Sequence, residues 1–151
     1  MRGRTILLID DNPDDVELTL RAFERCRVAN QIVVMEDGEK ALDYLHCAGP
    51  YAERVPDLPE VVLLDLNLPR IDGHEVLRRI RADERTRRLP VVILTSSQEA
   101  RDLVLAYDRG ANSFVRKPVA FEEFVESARQ LGLYWLVLNQ VPPANPASET
   151  R

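Results

Sequence analysis

Apolar residues in this chain fall into short unbroken blocks, and the stretches between the blocks carry a helical repeat. Residues 6–9, 32–35, 61–64 and 91–94 are continuously apolar rather than alternating, which predicts strands covered on both faces. Residues 113–116 form a shorter fifth strand. The first helix opens with Asn12 as N-cap, Pro13 in the first helical position and Asp14 and Asp15 in the first turn, each suited to its place by capping and by the helix dipole. Val16, Leu20 and Phe23 fall on one face of it. A second helix follows Gly38 and carries Ala41, Leu42 and Leu45. A third follows Gly73 with Val76, Leu77 and Ile80 inward. A fourth runs from about 98 to 108 and is closed by Gly110. The last starts near 121 and runs to about 138, with Phe121, Phe124, Ala128, Leu131 and Trp135 at core spacing. Residues 49–60 contain Pro50, Pro56 and Pro59 and read as a long surface loop. Five strands alternating with five helices predict an α/β domain: one five-stranded parallel sheet with helices on both faces.

Composition agrees with one soluble domain. The chain has 151 residues, 45% hydrophobic and 30% charged, a balance that can bury a core of its own. No run suits a signal peptide or a membrane span, so the expectation is a cytoplasmic protein without a membrane partner. Cys26 and Cys47 lack metal-ligand spacing and read as reduced thiols. The net charge of −5 argues against nucleic acid. Residues 78–88 hold six arginines, but no aromatic interleaving or base-reading motif accompanies them, so they read as a solvated helix face and the loop after it. Neither His46 nor His74 reads as a chemical residue, and both are expected on the surface.

Candidate chemistry lies at the strand ends. Parallel sheets bind ligands outside the carboxyl ends of their strands, and the polar residues placed there are Asp10, Asp11, Asp65, Thr95 and Lys117. Crowded carboxylates repel one another unless a cation sits among them. Mg²⁺ prefers one or two carboxylates with waters and phosphate oxygens. An ammonium and a hydroxyl can hold phosphoryl oxygens, and phosphoryl transfer asks little more of a protein than position and charge. Of 20 basic residues only Lys40 and Lys117 are lysines, so lysine at a strand end is a marked choice; its compact ammonium suits phosphate in a tight pocket. Asp65 stands alone at its strand end and is the candidate nucleophile; Asp10 and Asp11 form a pair suited to the metal. Each residue alone reads as an ordinary cap or turn. Their joint placement carries the reading.

The segments Ile6-Leu-Leu-Ile-Asp-Asp-Asn-Pro-Asp-Asp15, Val61-Val-Leu-Leu-Asp-Leu-Asn-Leu-Pro-Arg-Ile-Asp-Gly73, Leu94-Thr-Ser-Ser97 and Phe114-Val-Arg-Lys-Pro118 resemble the receiver domains of two-component response regulators. The resemblance covers roughly residues 5–138. It implies a flavodoxin-like receiver domain over 1–138; the tail, 139–151, is polar and Pro-rich toward its end and reads as disordered. The resemblance further implies that Asp65 accepts a phosphoryl group from the phosphohistidine of a sensor histidine kinase, making the chain a signalling domain rather than an enzyme. Asp11 and Asp65 would ligate Mg²⁺ through their side chains, Asn67 through its backbone carbonyl and Asp10 through water. Lys117, aimed by a cis peptide before Pro118, would contact the phosphoryl group. Thr95 would swing toward it while Phe114 rotates inward, changing the surface on the last two strands and helices. Asn67 and Ser97 are placed to tune the lifetime of the phosphoryl group.

Two features depart from the family's usual pattern. The stretch from Asp11 to Asp65 is long, with the excess expected in residues 49–60. Residues 131–138 are apolar nearly all round, leaving Leu133, Tyr134 and Val137 beyond one packed face. Either other structure wraps this end of the helix or it forms an interface, and the expectation is a homodimer through the last strand and last helix. Both features resemble short receivers that pair with phytochrome-type kinases. A haloacid-dehalogenase-like phosphatase is the enzyme alternative. That family carries its nucleophile on the first strand with another acid two residues on, whereas Asn67 holds that place after Asp65. A receiver-like scaffold that is never phosphorylated is the third reading, against which the Asp, Thr and Lys set stands.

Overall fold

A computed structural model describes residues 5–28, 30–55, 57–117 and 120–131. Its elements are β1 (Thr5–Ile9), α1 (Pro13–Arg25), β2 (Gln31–Met35), α2 (Gly38–His46), β3 (Val61–Leu64), α3 (Gly73–Ala82), β4 (Val91–Thr95), α4 (Ala100–Asp108), β5 (Ser113–Arg116) and α5 (Phe121–Leu131). The strands form one parallel sheet in the order β2-β1-β3-β4-β5, as expected.

The unbroken apolar strands are explained by two cores, one on each face of the sheet. Leu7, Ile9, Val62, Leu64, Val91 and Ile93 point to one side, where α2, α3 and α4 cover them. Ile6, Leu8, Val61, Leu63, Val92 and Leu94 point to the other, under α1 and α5. Successive strand side chains alternate between faces, so a strand sandwiched between helix layers must be apolar at every position. Burying each such side chain is worth about 1.5–3 kcal/mol.

Several local expectations need correction. In α1 the buried residues are Thr19, Ala22 and Phe23, whereas Leu20 lies 37% exposed; small Ala22 lets the helix approach the sheet. Helix α4 starts at Ala100 rather than near residue 98, because Ser97 and Glu99 are drawn into loop hydrogen bonds. His46 is half-buried. His74 is buried, with its Nε2 on Asp102 of α4. The loop at 49–60 begins with a 3-10 turn, Gly49–Tyr51. Arg54 stacks 3.8 Å from the Tyr44 ring centroid and donates to the carbonyls of Tyr44, Val55 and Asp57. Arg81, one of the six arginines, donates to the carbonyls of Gly110, Arg87 and Leu89 and to Asn112, so it ties two loops instead of facing water. Cys26 and Cys47 are free thiols. The Lys117–Pro118 bond, the residues Leu133, Tyr134 and Val137, and the tail lie outside the described residues. No helix among those described is long and apolar enough to cross a membrane.

Candidate functional site

At the carboxyl edge of the sheet the ladder of hydrogen bonds continues one residue past β1, β3 and β5. The Asp10 N–H donates to the Met35 carbonyl at 3.0 Å, the Asp65 N–H to Ile9 at 2.9 Å and the Lys117 N–H to Thr95 at 2.7 Å. Neighbouring strands therefore fix the backbone of all three polar residues. Gly73 presses the start of α3 onto the same edge: a Cβ there would stand 2.3 Å from the Asp65 carbonyl oxygen and 2.7 Å from Leu66 Cα. Only glycine permits that approach.

The side chains converge. The Lys117 ammonium donates to Asp10 at 2.7 Å, to Asp15 at 2.9 Å and to Asp65 at 3.0 Å. Asp10 is 1% exposed, Asp65 6% and Thr95 0%. The other Asp65 oxygen accepts the Asn67 N–H at 3.2 Å, and Asp10 accepts the Asn12 N–H at 3.0 Å. Burial pushes the Asp10 carboxyl above its ordinary value, although the Lys117 bond and the Asn12 N–H pull the other way. Burial opposes the Lys117 charge as well. There the bonds from Asp10 and Asp15, with the charges of Asp65 and Asp10, outweigh it and hold the ammonium above the ordinary lysine range. Three carboxylates around one ammonium leave a negative surplus in a poorly solvated place, which a cation relieves.

Of the residues expected from the sequence, the structure brings together Asp10, Asp65 and Lys117. Thr95 lies on the same edge, buried, its hydroxyl oxygen accepting the Ser97 N–H at 3.3 Å. Asp11 and Asn67 are exposed and line a cavity of about 430 Å³ beside Asp65 together with Leu68, Asp72, His74 and Asp102. Phe114 is half-buried against the α2–α3–α4 core, with the Arg116 guanidinium 5.8 Å from its ring. Asp15 is the residue the sequence reading missed. Carboxylate oxygens of Asp10, Asp15 and Asp65 lie within 4.8 Å of one another, a grouping able to hold a metal ion. Asp15 reads from sequence as a helix-favouring acid. Its position one turn into a helix that starts at the sheet edge was the available signal.

A model of the response regulator receiver domain matches residues 6–129. The probable methanogenesis regulatory protein FilR2 of Methanothrix harundinacea is 44% identical over 139 residues, 91% of this chain and 86% of that protein. Response regulator Rcp1 of a Synechocystis strain is 30% identical, covering 93% of this chain and 95% of Rcp1; its Mn²⁺-bound crystal structure superposes with a TM-score of 0.84 at 28% identity, over 93% of this chain and 99% of that one. The phosphorylated cyanobacterial phytochrome response regulator RcpA superposes with a TM-score of 0.87 at 32% identity, over 94% of this chain and all of that one. The acidic pocket of Asp10, Asp15 and Asp65 fits a phosphoacceptor site.

Proposed function

This chain belongs to the response regulator receiver domain family, and from that membership we propose that Asp65 accepts a phosphoryl group from the phosphohistidine of a sensor histidine kinase in a Mg²⁺-dependent reaction. The observation that carries the reading is Lys117: its ammonium rests on Asp65 and two further carboxylates at the mouth of a parallel sheet. In the transfer an Asp65 oxygen bonds to phosphorus as the P–N bond breaks, and the imidazole leaves with the electron pair. Lys117 is within reach of the charge that arrives. The Thr95 hydroxyl, which accepts from Ser97 N–H, would donate its own proton to a phosphoryl oxygen.

The donor set fits a hard divalent ion, since all its atoms are oxygens and carry surplus negative charge. Asp10 and Asp65 would hold it, with Asp11 and the Asn67 carbonyl at the cavity side and Asp15 as a further carboxylate in reach. When bound, Mg²⁺ offsets the charge of the phosphoryl oxygens. We further propose that Thr95 and Phe114 form the switch, that Lys117 reaches its place through a cis bond to Pro118, and that the changed surface of the last two strands and helices carries the signal in the cytoplasm. Leu133, Tyr134 and Val137 would form a homodimer contact there.

The partner kinase is of phytochrome type in this reading, supported by the likeness to RcpA and Rcp1 along nearly their whole length. The test is transfer from an autophosphorylated phytochrome-type kinase. Label should move to the wild type in Mg²⁺, and neither to Asp65→Asn nor in EDTA. Label retained on this kinase but taken from a kinase without a photosensor would refute the phytochrome partner and keep the acceptor.

A further inference from the structure

Beside the acceptor, three side chains that phosphoryl transfer does not itself require form one hydrogen-bonded chain. The Ser97 hydroxyl donates to Asp102 Oδ2 at 2.6 Å, and His74 Nε2 lies 3.0 Å from Asp102 Oδ1. A carboxylate only accepts, so the proton is on Nε2. The bonds of Ser97 and His74 hold the Asp102 carboxyl below its ordinary range, and it stays ionised. His74 Nδ1 is a buried side-chain atom without a hydrogen-bond partner. An orphaned buried nitrogen is a cost, which the Nε2 bond to an ionised carboxylate offsets.

The chain joins three pieces. Ser97 belongs to the loop of Thr95, whose hydroxyl oxygen accepts the Ser97 N–H. Asp102 lies in the first turn of α4. His74 is the second residue of α3, directly after the glycine pressed onto the Asp65 carbonyl. The His74 backbone carbonyl also accepts from Arg109 at 3.2 Å, at the other end of α4. One residue of α3 thus holds both ends of α4. That matters because α4 has little else: Ala106 is its one fully buried residue, and its N-cap Glu99 makes no side-chain cap bond. Helix α3, by contrast, buries five residues. An element with so little apolar burial is fixed by its polar ties.

We infer that His74 and Asp102 are positioning residues: with Ser97 they form a latch that holds the Thr95 loop and the first turn of α4 against α3, and so set how readily the Thr95 loop closes on a phosphoryl group at Asp65. The inference rests on the phosphoacceptor reading for its consequence, but not for the latch itself. The latch favours the unphosphorylated arrangement. Without it, the Thr95 loop is freer to close.

The test uses His74→Phe, His74→Gln, Asp102→Asn and Ser97→Ala in the full chain. Two readouts are taken: amide hydrogen exchange across 95–108, and steady-state phosphoryl occupancy with acetyl phosphate and Mg²⁺. Exchange in the unphosphorylated protein should rise by roughly tenfold to a hundredfold in His74→Phe and Asp102→Asn, the scale of one charge-assisted hydrogen bond lost. His74→Gln, which keeps a donor near the Nε2 position, should restore it. Ser97→Ala combined with Asp102→Asn should exceed neither single change, as members of one chain act together. Occupancy should rise in the variants that loosen α4. Unchanged exchange, additive effects, or a His74→Gln variant as loose as His74→Phe would overturn the latch. Should His74→Phe fail to fold, Ser97→Ala and Asp102→Asn, on partly exposed side chains, decide the matter. If the wild type takes no phosphoryl group, the acceptor reading fails while the exchange data still judge the latch.

Discussion

Lys117 and Asp10 show how the site trades stability for function. Removing the ammonium leaves three carboxylates facing one another with no cation, so Lys117→Ala should destabilise the metal-free protein by about 3 kcal/mol. Added Mg²⁺ should recover part of that loss, read as a shift in urea midpoint with and without EDTA. Asp10 has the opposite sign. Burial raises its carboxyl above the ordinary 3.8, so the folded state holds the proton more tightly than the unfolded chain does. Its contribution therefore favours folding below that ordinary value and is lost as pH rises through the raised one. In the metal-free protein Asp10→Asn should flatten this decline. The same change should abolish stabilisation by Mg²⁺. A wild type whose stability in EDTA shows no decline attributable to Asp10 on going from acid to neutral pH, when set against Asp10→Asn, would contradict the assignment.

At the scale of elements, the junction of β3 with α3 is the most exacting part of the molecule. A methyl group at Gly73 meets the Asp65 carbonyl oxygen at 2.3 Å, and neither backbone can yield without moving the acceptor. Gly73→Ala should cost about 2–3 kcal/mol and lower phosphoryl occupancy together with it, measured by denaturation and mass spectrometry on the same sample. The elements themselves were legible in the sequence, and for a physical reason: a strand covered on both faces cannot hide a polar residue, so β1, β3 and β4 had to read as unbroken apolar blocks. The acids and the lysine at their ends were legible because strand ends fix their place. Asp15 and His74 were not. Both lie on helices, where an acid in the first turn and a histidine after a glycine have ordinary local uses. What makes them special is the neighbouring element against which each first turn packs, Lys117 in one case and Asp102 in the other, and no spacing within the chain encodes that meeting.

For the whole molecule, the change at Asp65 has to reach a surface. Helix α4 exposes Val104 and Tyr107, and its light burial makes it the element most easily shifted when the Thr95 loop moves. The proposed homodimer through the last strand and helix makes a separate prediction. The wild type should sediment as a dimer at high concentration, and Tyr134→Glu as a monomer. A monomeric wild type, both with and without phosphorylation, would remove the dimer and leave the acceptor untouched. Beneath all of these lies one claim, that Asp65 takes a phosphoryl group. Incubation with acetyl phosphate and Mg²⁺ followed by intact-mass measurement addresses it with no partner needed. A single phosphoryl adduct should appear on the wild type and be absent from Asp65→Asn and in EDTA. No adduct on the wild type, or one that persists in Asp65→Asn, would contradict it.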